Sequence, residues 1–193
     1  MTWLSSDPLN GGFVTLEPLG DQHIEALKEA VLEGEPWTLW FANVPSPESM
    51  EKYVHKAMQN AVKGYIAYAV KLNKTHQIIG TTRFYNVEAK NKRVMLGFTW
   101  YAASARRTPV NTECKLLLLK HLFDKHSAIA VEFRTHVFNH TSRKAIERLG
   151  AKQNGILRHH QMLADGSIRD TVVYSIISSE WPAVSNHLHS KLY

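Results

Sequence analysis

Twice in this chain a strand-like segment runs through a short polar loop straight into an amphipathic helix: over Tyr101 to Asp124, and over Asn139 to Gly150. Units of this kind need a sheet with helices laid on it, so they commit the chain to a mixed α/β architecture. The first loop, Arg106-Arg107-Thr108-Pro109-Val110-Asn111, is basic and opens into the run Cys114 to Phe123. Free backbone N–H groups at a helix start, beside two guanidinium groups, make a site for a phosphate or pyrophosphate.

The remaining segments fit the same architecture. Phe13 to Leu19 alternates and reads as a strand. Asp21 is expected to cap a helix with Ile24, Leu27, Ala30 and Val31 on one face, stopped at Gly34. Ser46 and Pro47 open a second helix, with Met50, Tyr53, Val54, Ala57, Met58, Ala61 and Val62 at helical spacing and Gly64 as its end. Tyr65 to Leu72, Gln77 to Tyr85 and Arg93 to Tyr101 read as three strands. Ile129 to Phe138 is a fourth, with Val131, Phe133, Thr135 and Val137 on one face and Glu132, Arg134 and His136 on the other. Asn139 caps the next helix, which holds Ala145, Ile146 and Leu149 inside and ends at Gly150. Ile156 to Leu163 and Asp170 to Ile177 form a closing hairpin through Asp165-Gly166. Trp181-Pro182 is read as the end of the sheet. With no repeat and no linker, 1–193 is expected to be one domain.

Composition narrows the function. At 193 residues, with 44% hydrophobic and 21% charged residues, the chain can bury a real core. The first seven residues carry neither a basic leader nor a long apolar segment, and no apolar run approaches bilayer length. A cytoplasmic protein without membrane contact is expected. The single cysteine, Cys114, excludes an internal disulfide and reads as a small core residue. A formal charge of +6 favours anionic partners. The basic residues are scattered, so nucleic acid is permitted as a partner without being favoured. A homodimer through an edge strand or the closing hairpin also stays open. Of eleven histidines, the nearest clusters are His159-His160 and His187-x-His189. Neither has a carboxylate or cysteine at ligand spacing, so no metal is expected.

The order of these elements resembles the GNAT acetyltransferases over Gly12 to Trp181. The residues that carry it are Ile79-Gly80-Thr81, Leu96-Gly97-Phe98-Thr99-Trp100-Tyr101, the loop Arg106 to Asn111, and Asn139-His140-Thr141-Ser142 through Leu149-Gly150. Arg169-Asp170-Thr171 and Glu180-Trp181-Pro182 look like the Rim-type branch, associated with protein N-terminal acetylation. The resemblance implies a mostly antiparallel mixed sheet flanked by helices, with the strands Arg93–Tyr101 and Ile129–Phe138 splayed apart. It implies acetyl-CoA as co-substrate, its pantetheine arm paired with the backbone of Phe98, Thr99, Trp100 and Tyr101. A bulge there would aim an N–H at the thioester oxygen. The pyrophosphate would rest on the amides from Thr108 through Val110 and Asn111 to Thr112, assisted by Arg106 and Arg107. Asn139, Ser142 and Arg143 would complete the cofactor contacts.

Two departures stand out. The family loop Gln/Arg-x-x-Gly-x-Gly/Ala, set on Arg106, puts Pro109 and Asn111 where small residues are expected, and proline has no N–H to give. No tyrosine stands near Ile146-Glu147-Arg148 to act as general acid; the Rim-type resemblance instead implies Asn139-x-x-Ser142, with the Ser142 hydroxyl near the sulfur as candidate proton donor to the leaving thiolate. Either His160 or its neighbour His159 faces the groove; His160 is the candidate acceptor of the amine's proton. Trp37, Trp40 and Phe41 are expected to cap the core; the resemblance would make that region a wall of the acceptor site. The implied activity is acetyl transfer to a primary amine, a protein N-terminus or a small molecule, by direct attack. A non-catalytic acyl-CoA-binding protein and a basic RNA- or ribosome-associated protein stay open as other classes.

Overall fold

Eight strands form one open sheet in the order β1-β2-β3-β4-β5-β6-β8-β7. In the computed structural model, which describes residues 3–163 and 165–192, they are β1 (Leu9–Asn10), β2 (Val14–Pro18), β3 (Ile66–Leu72), β4 (Ile78–Glu88), β5 (Arg93–Tyr101), β6 (Ala130–His136), β7 (Lys152–Met162) and β8 (Ile168–Ile177). All neighbours are antiparallel except β5 and β6. The helices α1 (Ile24–Leu32) and α2 (Met50–Gln59) lie on one face. On the other lie α3 (Val110–Lys120), α4 (His140–Arg148) and α5 (Trp181–His189). The alternation of β4 shows both faces at once: Thr81 reaches Tyr53 of α2, while Thr82 reaches Lys115 of α3.

The parallel pair shapes the molecule. Only Arg93–Ala130, Val94–Val131 and Met95–Glu132 are in register, after which β5 and β6 part. β5 continues against β4 and β6 against β8, which leaves a V between Gly97–Tyr101 and Phe133–His136. The expected splay is present, and its cause is local. Thr81 pairs with Trp100 and Arg83 with Gly97, so Phe98 and Thr99 together oppose the single residue Thr82. Phe98 sits in the left-handed region at φ 51°. A bulge of this type bends the strand and increases its twist. Gly80 is required beside it: a Cβ there would stand 2.0 Å from the Trp100 carbonyl oxygen.

The core fills both sides of the sheet, from Leu27, Met50 and Val54 of α1 and α2 to Leu118, Leu119 and Leu122 at and after α3. Long-range polar ties add to it. Glu113, in the first turn of α3, accepts the backbone N–H groups of Gly12, Phe13 and Val14 at 2.8, 2.7 and 2.8 Å. Cys114 is fully buried, as its leucine-rich surroundings predict, and burial pushes its thiol up.

Several boundaries correct the reading of the sequence. Asp21 does not cap α1; a 3-10 turn Asp21–His23 intervenes, with Gly20 at its start donating to His23 Nδ1 at 3.1 Å. Ser46 and Pro47 open a 3-10 turn rather than α2 itself. Trp181-Pro182 starts a helix instead of merely ending the sheet, as proline in a first turn does. That helix, α5, stacks Trp181 on Phe123 and donates its indole N–H to Asp124 at 2.6 Å. The closing hairpin turns through Asp165 and Gly166 as expected, and β7 begins four residues earlier than its alternation suggests.

Candidate active site

Both loop–helix starts converge on the V. At the end of β5 a 3-10 turn, Ala103–Ala105, leads to Arg107 in the left-handed region (φ 60°) and Pro109 as the N-cap of α3. No side chain caps this helix through a strong bond. Thr108 Oγ1 donates to the Ala105 carbonyl at 2.7 Å and receives the Val110 N–H only at 3.4 Å. The first intrahelical bond, from Glu113 N–H to Pro109 C=O, leaves the amides of Asn111 and Thr112 ahead of it. Arg107 stands exposed at this start. Arg106 turns away, its Nε donating to the Tyr101 carbonyl at 3.2 Å; the Glu33 carboxyl is lowered by hydrogen bonds from Ser104 first and by the Arg106 charge last. The side chains of Asn111 and Thr112 face inward, to the Tyr101 hydroxyl (3.3 Å) and Arg148 Nη1 (3.0 Å).

The second start is closed. Asn139 Oδ1 accepts the Ser142 N–H at 3.0 Å, the cap expected from sequence. Ser142 itself is half-buried, and its hydroxyl has no hydrogen-bond partner among the described residues. Arg143 is committed to the framework: Nε donates to the Tyr174 hydroxyl at 3.1 Å and Nη1 to the Val137 carbonyl at 3.2 Å.

The bulge between these starts is gripped from both faces of the sheet. On the α3 face, Lys115 Nζ donates to Thr99 Oγ1 at 2.6 Å and Thr82 Oγ1 at 3.1 Å, and the two hydroxyls are 2.8 Å apart. Burial pulls the Lys115 ammonium down to about 8. On the α2 face, Arg83 lies 4.3 Å over the Phe98 ring and 4.7 Å over the Tyr53 ring. Tyr85 packs edge-on against Phe98, and burial pushes its phenol up to about 12. Neither Lys115 nor Arg83 was singled out from the sequence. The signal was there: each is a charge directly beside apolar residues, Lys115 before Leu116-Leu117-Leu118-Leu119 and Arg83 before Phe84-Tyr85.

The α1/α2 side of the V is aromatic and basic. Trp40 touches His136 at 4.9 Å and Phe41 at 5.5 Å, and His136 stacks on Phe138 at 5.6 Å. Trp40 is 56% exposed, so it does not cap the core as expected; of that group Trp37 packs against it. The paired histidines separate as their alternation requires. His159 is exposed (φ 48°), while His160 is half-buried, with Nδ1 sharing a 3.0 Å hydrogen bond with Thr171 Oγ1. Burial first, then the charges of Arg134 and Arg169, push His160 down. That shift favours the neutral imidazole, the form able to accept a proton. No hydrogen bond joins it to Ser142. Among the described residues, no group of three or more His, Cys, Asp or Glu lies close enough to hold a metal ion, and no helix is long and apolar enough to cross a membrane.

An open edge of β5 thus runs from a bulge to an uncapped helix start with an exposed arginine beside it. Comparison with known proteins bears on that geometry. Residues 14–152 match the family model of an acetyltransferase (GNAT) domain. A search of curated proteins gives no match. Among solved structures, a proposed acetyltransferase from T. thermophilus is 30% identical, with a TM-score of 0.87 over 99% of this chain and 100% of that one. A GCN5-related N-acetyltransferase from Brucella melitensis is 26% identical, with a TM-score of 0.88 over 98% and 86%. Mycobacterium smegmatis RimJ in complex with CoA-disulfide shares the fold at 19% identity, TM-score 0.78, over 96% and 93%.

Proposed function

The chain belongs to the acetyltransferase (GNAT) family, whose activity is acetyl transfer from acetyl-CoA, and from that premise we propose that residues 1–193 form one domain that acetylates a primary amine by direct attack. Acetyl-CoA supplies the activated thioester. The observation that carries the reading is the V itself: β5 leaves β6 after three pairs, at a bulge, with an uncapped helix start at its far end.

The residues present fit that co-substrate. Along Phe98 to Tyr101 the edge away from β4 offers backbone groups spaced as for a neighbouring strand, the Tyr101 carbonyl already accepting from Arg106 Nε. The Asn111 and Thr112 amides and the Arg107 guanidinium form the phosphate cradle; Val110 and Thr108 frame it, Arg106 is drawn off to the Tyr101 carbonyl, and Pro109 contributes no N–H. Asn139 and Arg143 hold the start of α4, which sets Ser142 beside the sulfur. The bulged backbone at Phe98–Thr99 donates to the oxygen on which charge develops. Ser142 gives a proton to the departing thiolate, and His160 takes one from the amine directly or through water. Cys114, buried and with its thiol pushed up, is no nucleophile, which favours attack by the amine itself.

The acceptor is an α-amine or similar primary amine, of a protein N-terminus or a small molecule. The likeness to RimJ and to RimL, a ribosomal L7/L12 alpha-N-protein acetyltransferase, supports the first class through fold alone. Calorimetry with acetyl-CoA and an assay of free thiol released with a panel of amines test the proposal. Stoichiometric binding, weakened about tenfold (~1.4 kcal/mol) in Arg107→Ala, is expected. Absence of saturable thiol release with every amine would overturn it.

A further inference from the structure

Arg83 has no function in the scheme above, and its surroundings are unusual. The residue is only 5% exposed, yet its Nε and Nη2 have no hydrogen-bond partner. These two nitrogens carry the parallel N–H groups of the guanidinium's side-on fork, the pair that receives both oxygens of one carboxylate. Burying such donors unpaired is costly, and native structures seldom do it without a use for them.

The residues around the fork keep it available. Its cross-strand neighbours are Ala67 on β3 and Gly97 on β5, the smallest side chains on offer. Tyr53 and Phe98 cover it with rings, and Tyr53 is held in place by its 3.0 Å hydrogen bond to Thr81. Phe98 is 42% exposed and belongs to the bulge, so one of the two rings over the fork is itself at the surface beside the V. Among the described residues, no acidic side chain bonds to the fork. Glu132 is held by Arg134 at 2.6 Å and Arg93 at 3.4 Å, and Asp170 by Arg158 at 2.5 Å. Arg169, on the same face of the sheet, bonds to the Thr171 hydroxyl at 2.9 Å and adds to the positive field.

We propose that Arg83 is the carboxylate-binding residue of the acceptor site, so that the acceptor is a primary amine that also carries a carboxylate. This rests on the acetyl-transfer reading for the identity of the reaction, but not for the binding itself. The carboxylate comes either from a free amino acid or from an acidic residue near a peptide's amine, and the guanidinium fork serves both. Its nearness to Phe98 sets the anion about one ring-width from the bulge, so the distance between amine and carboxylate becomes a selected property.

The test uses ω-amino acids of one to five methylenes, each against its primary amide, and the tripeptides Ala-Asp-Ala and Ala-Asn-Ala. Wild-type protein, Arg83→Gln and Arg83→Lys are compared, with acetyl-CoA titration and melting temperature as controls of folding. Expected is at least one acid that exceeds its amide tenfold or more in kcat/KM. That ratio should fall to about one in Arg83→Gln and recover only in part in Arg83→Lys, which keeps the charge without the fork. Preference among the free acids or for the Asp peptide identifies the source. Equal use of acids and amides, or a preference that survives Arg83→Gln, overturns the proposal. If no amine is turned over, the acetyl-transfer reading fails separately. Ligand-observed NMR with the same panel then decides: selective binding of acids, lost in Arg83→Gln, upholds the Arg83 site, and indifference between acid and amide removes it.

Discussion

Two cations are buried against the same bulge from opposite faces of the sheet, and they are treated oppositely. Lys115 on the α3 face is 5% exposed and donates to two threonine hydroxyls, which donate and accept between themselves. Arg83 on the α2 face is equally buried and leaves its fork unpaired between two rings. The first cation is part of the framework: it fixes Thr99, and through Thr99 the irregular backbone. The second has the chemistry of a binding group. Burial alone does not distinguish such roles; the state of the donors does.

The pH dependence of stability breaks the comparison most strongly if Lys115 is not as buried as its contacts indicate. Its ammonium is held at about 8 in the folded protein against 10.5 ordinarily. Between those values the unfolded chain binds the proton and the folded one does not, so stability rises with pH across that window. The gain is about 3 kcal/mol, fully present above pH 10.5 and absent below pH 8. Urea unfolding from about pH 7.5 to 10.5 should show it as a difference between wild type and Lys115→Met. Next in size is Thr99→Val, which removes the 2.6 Å acceptor of that ammonium; a loss of about 2 kcal/mol at pH 7 is expected in the same assay. Arg83→Met should act with the opposite sign. Taking away unpaired buried donors raises stability by about 1 kcal/mol, while discrimination between acidic and neutral acceptors disappears. A destabilised Arg83→Met would mean that the contacts with the Tyr53 and Phe98 rings outweigh the cost of the unpaired donors. The smallest effect belongs to Asn139→Ala, about 1 kcal/mol or less from the lost cap of α4, read from the melting temperature.

How far the sequence reached follows the range of the interactions involved. Segments governed by local patterning were legible: Arg93–Tyr101 has the same ends in sequence and structure, and Asn139 caps α4 through a residue three positions away. Gly80 could be noticed but not explained, because its need comes from the Trp100 carbonyl on the adjacent strand. Trp181-Pro182 was ambiguous locally, since proline both stops a strand and starts a helix. The bulge was implied by the family resemblance but not by local pattern, because phenylalanine at positive φ is a tertiary imposition. The two buried cations were hidden by a conflict of rules. An apolar run says inside and a charge says outside, and only partners distant in sequence, such as Thr82 and Thr99 for Lys115, resolve it. Glu113 is the extreme case, its three amide donors lying about a hundred residues upstream.

The three residue pairs that join β5 to β6 have a mechanical consequence. Among the described residues they are the only ladder between a five-strand half, β1 to β5, and a three-strand half, β6 to β8. Beyond that seam the two halves meet through side chains, such as Trp40 on His136, rather than through a ladder. A chain-like ligand seated in the V would stitch them, so its binding should slow hydrogen exchange in strands it never touches. Exchange at β7 and β2 should then become more strongly correlated than in the free protein.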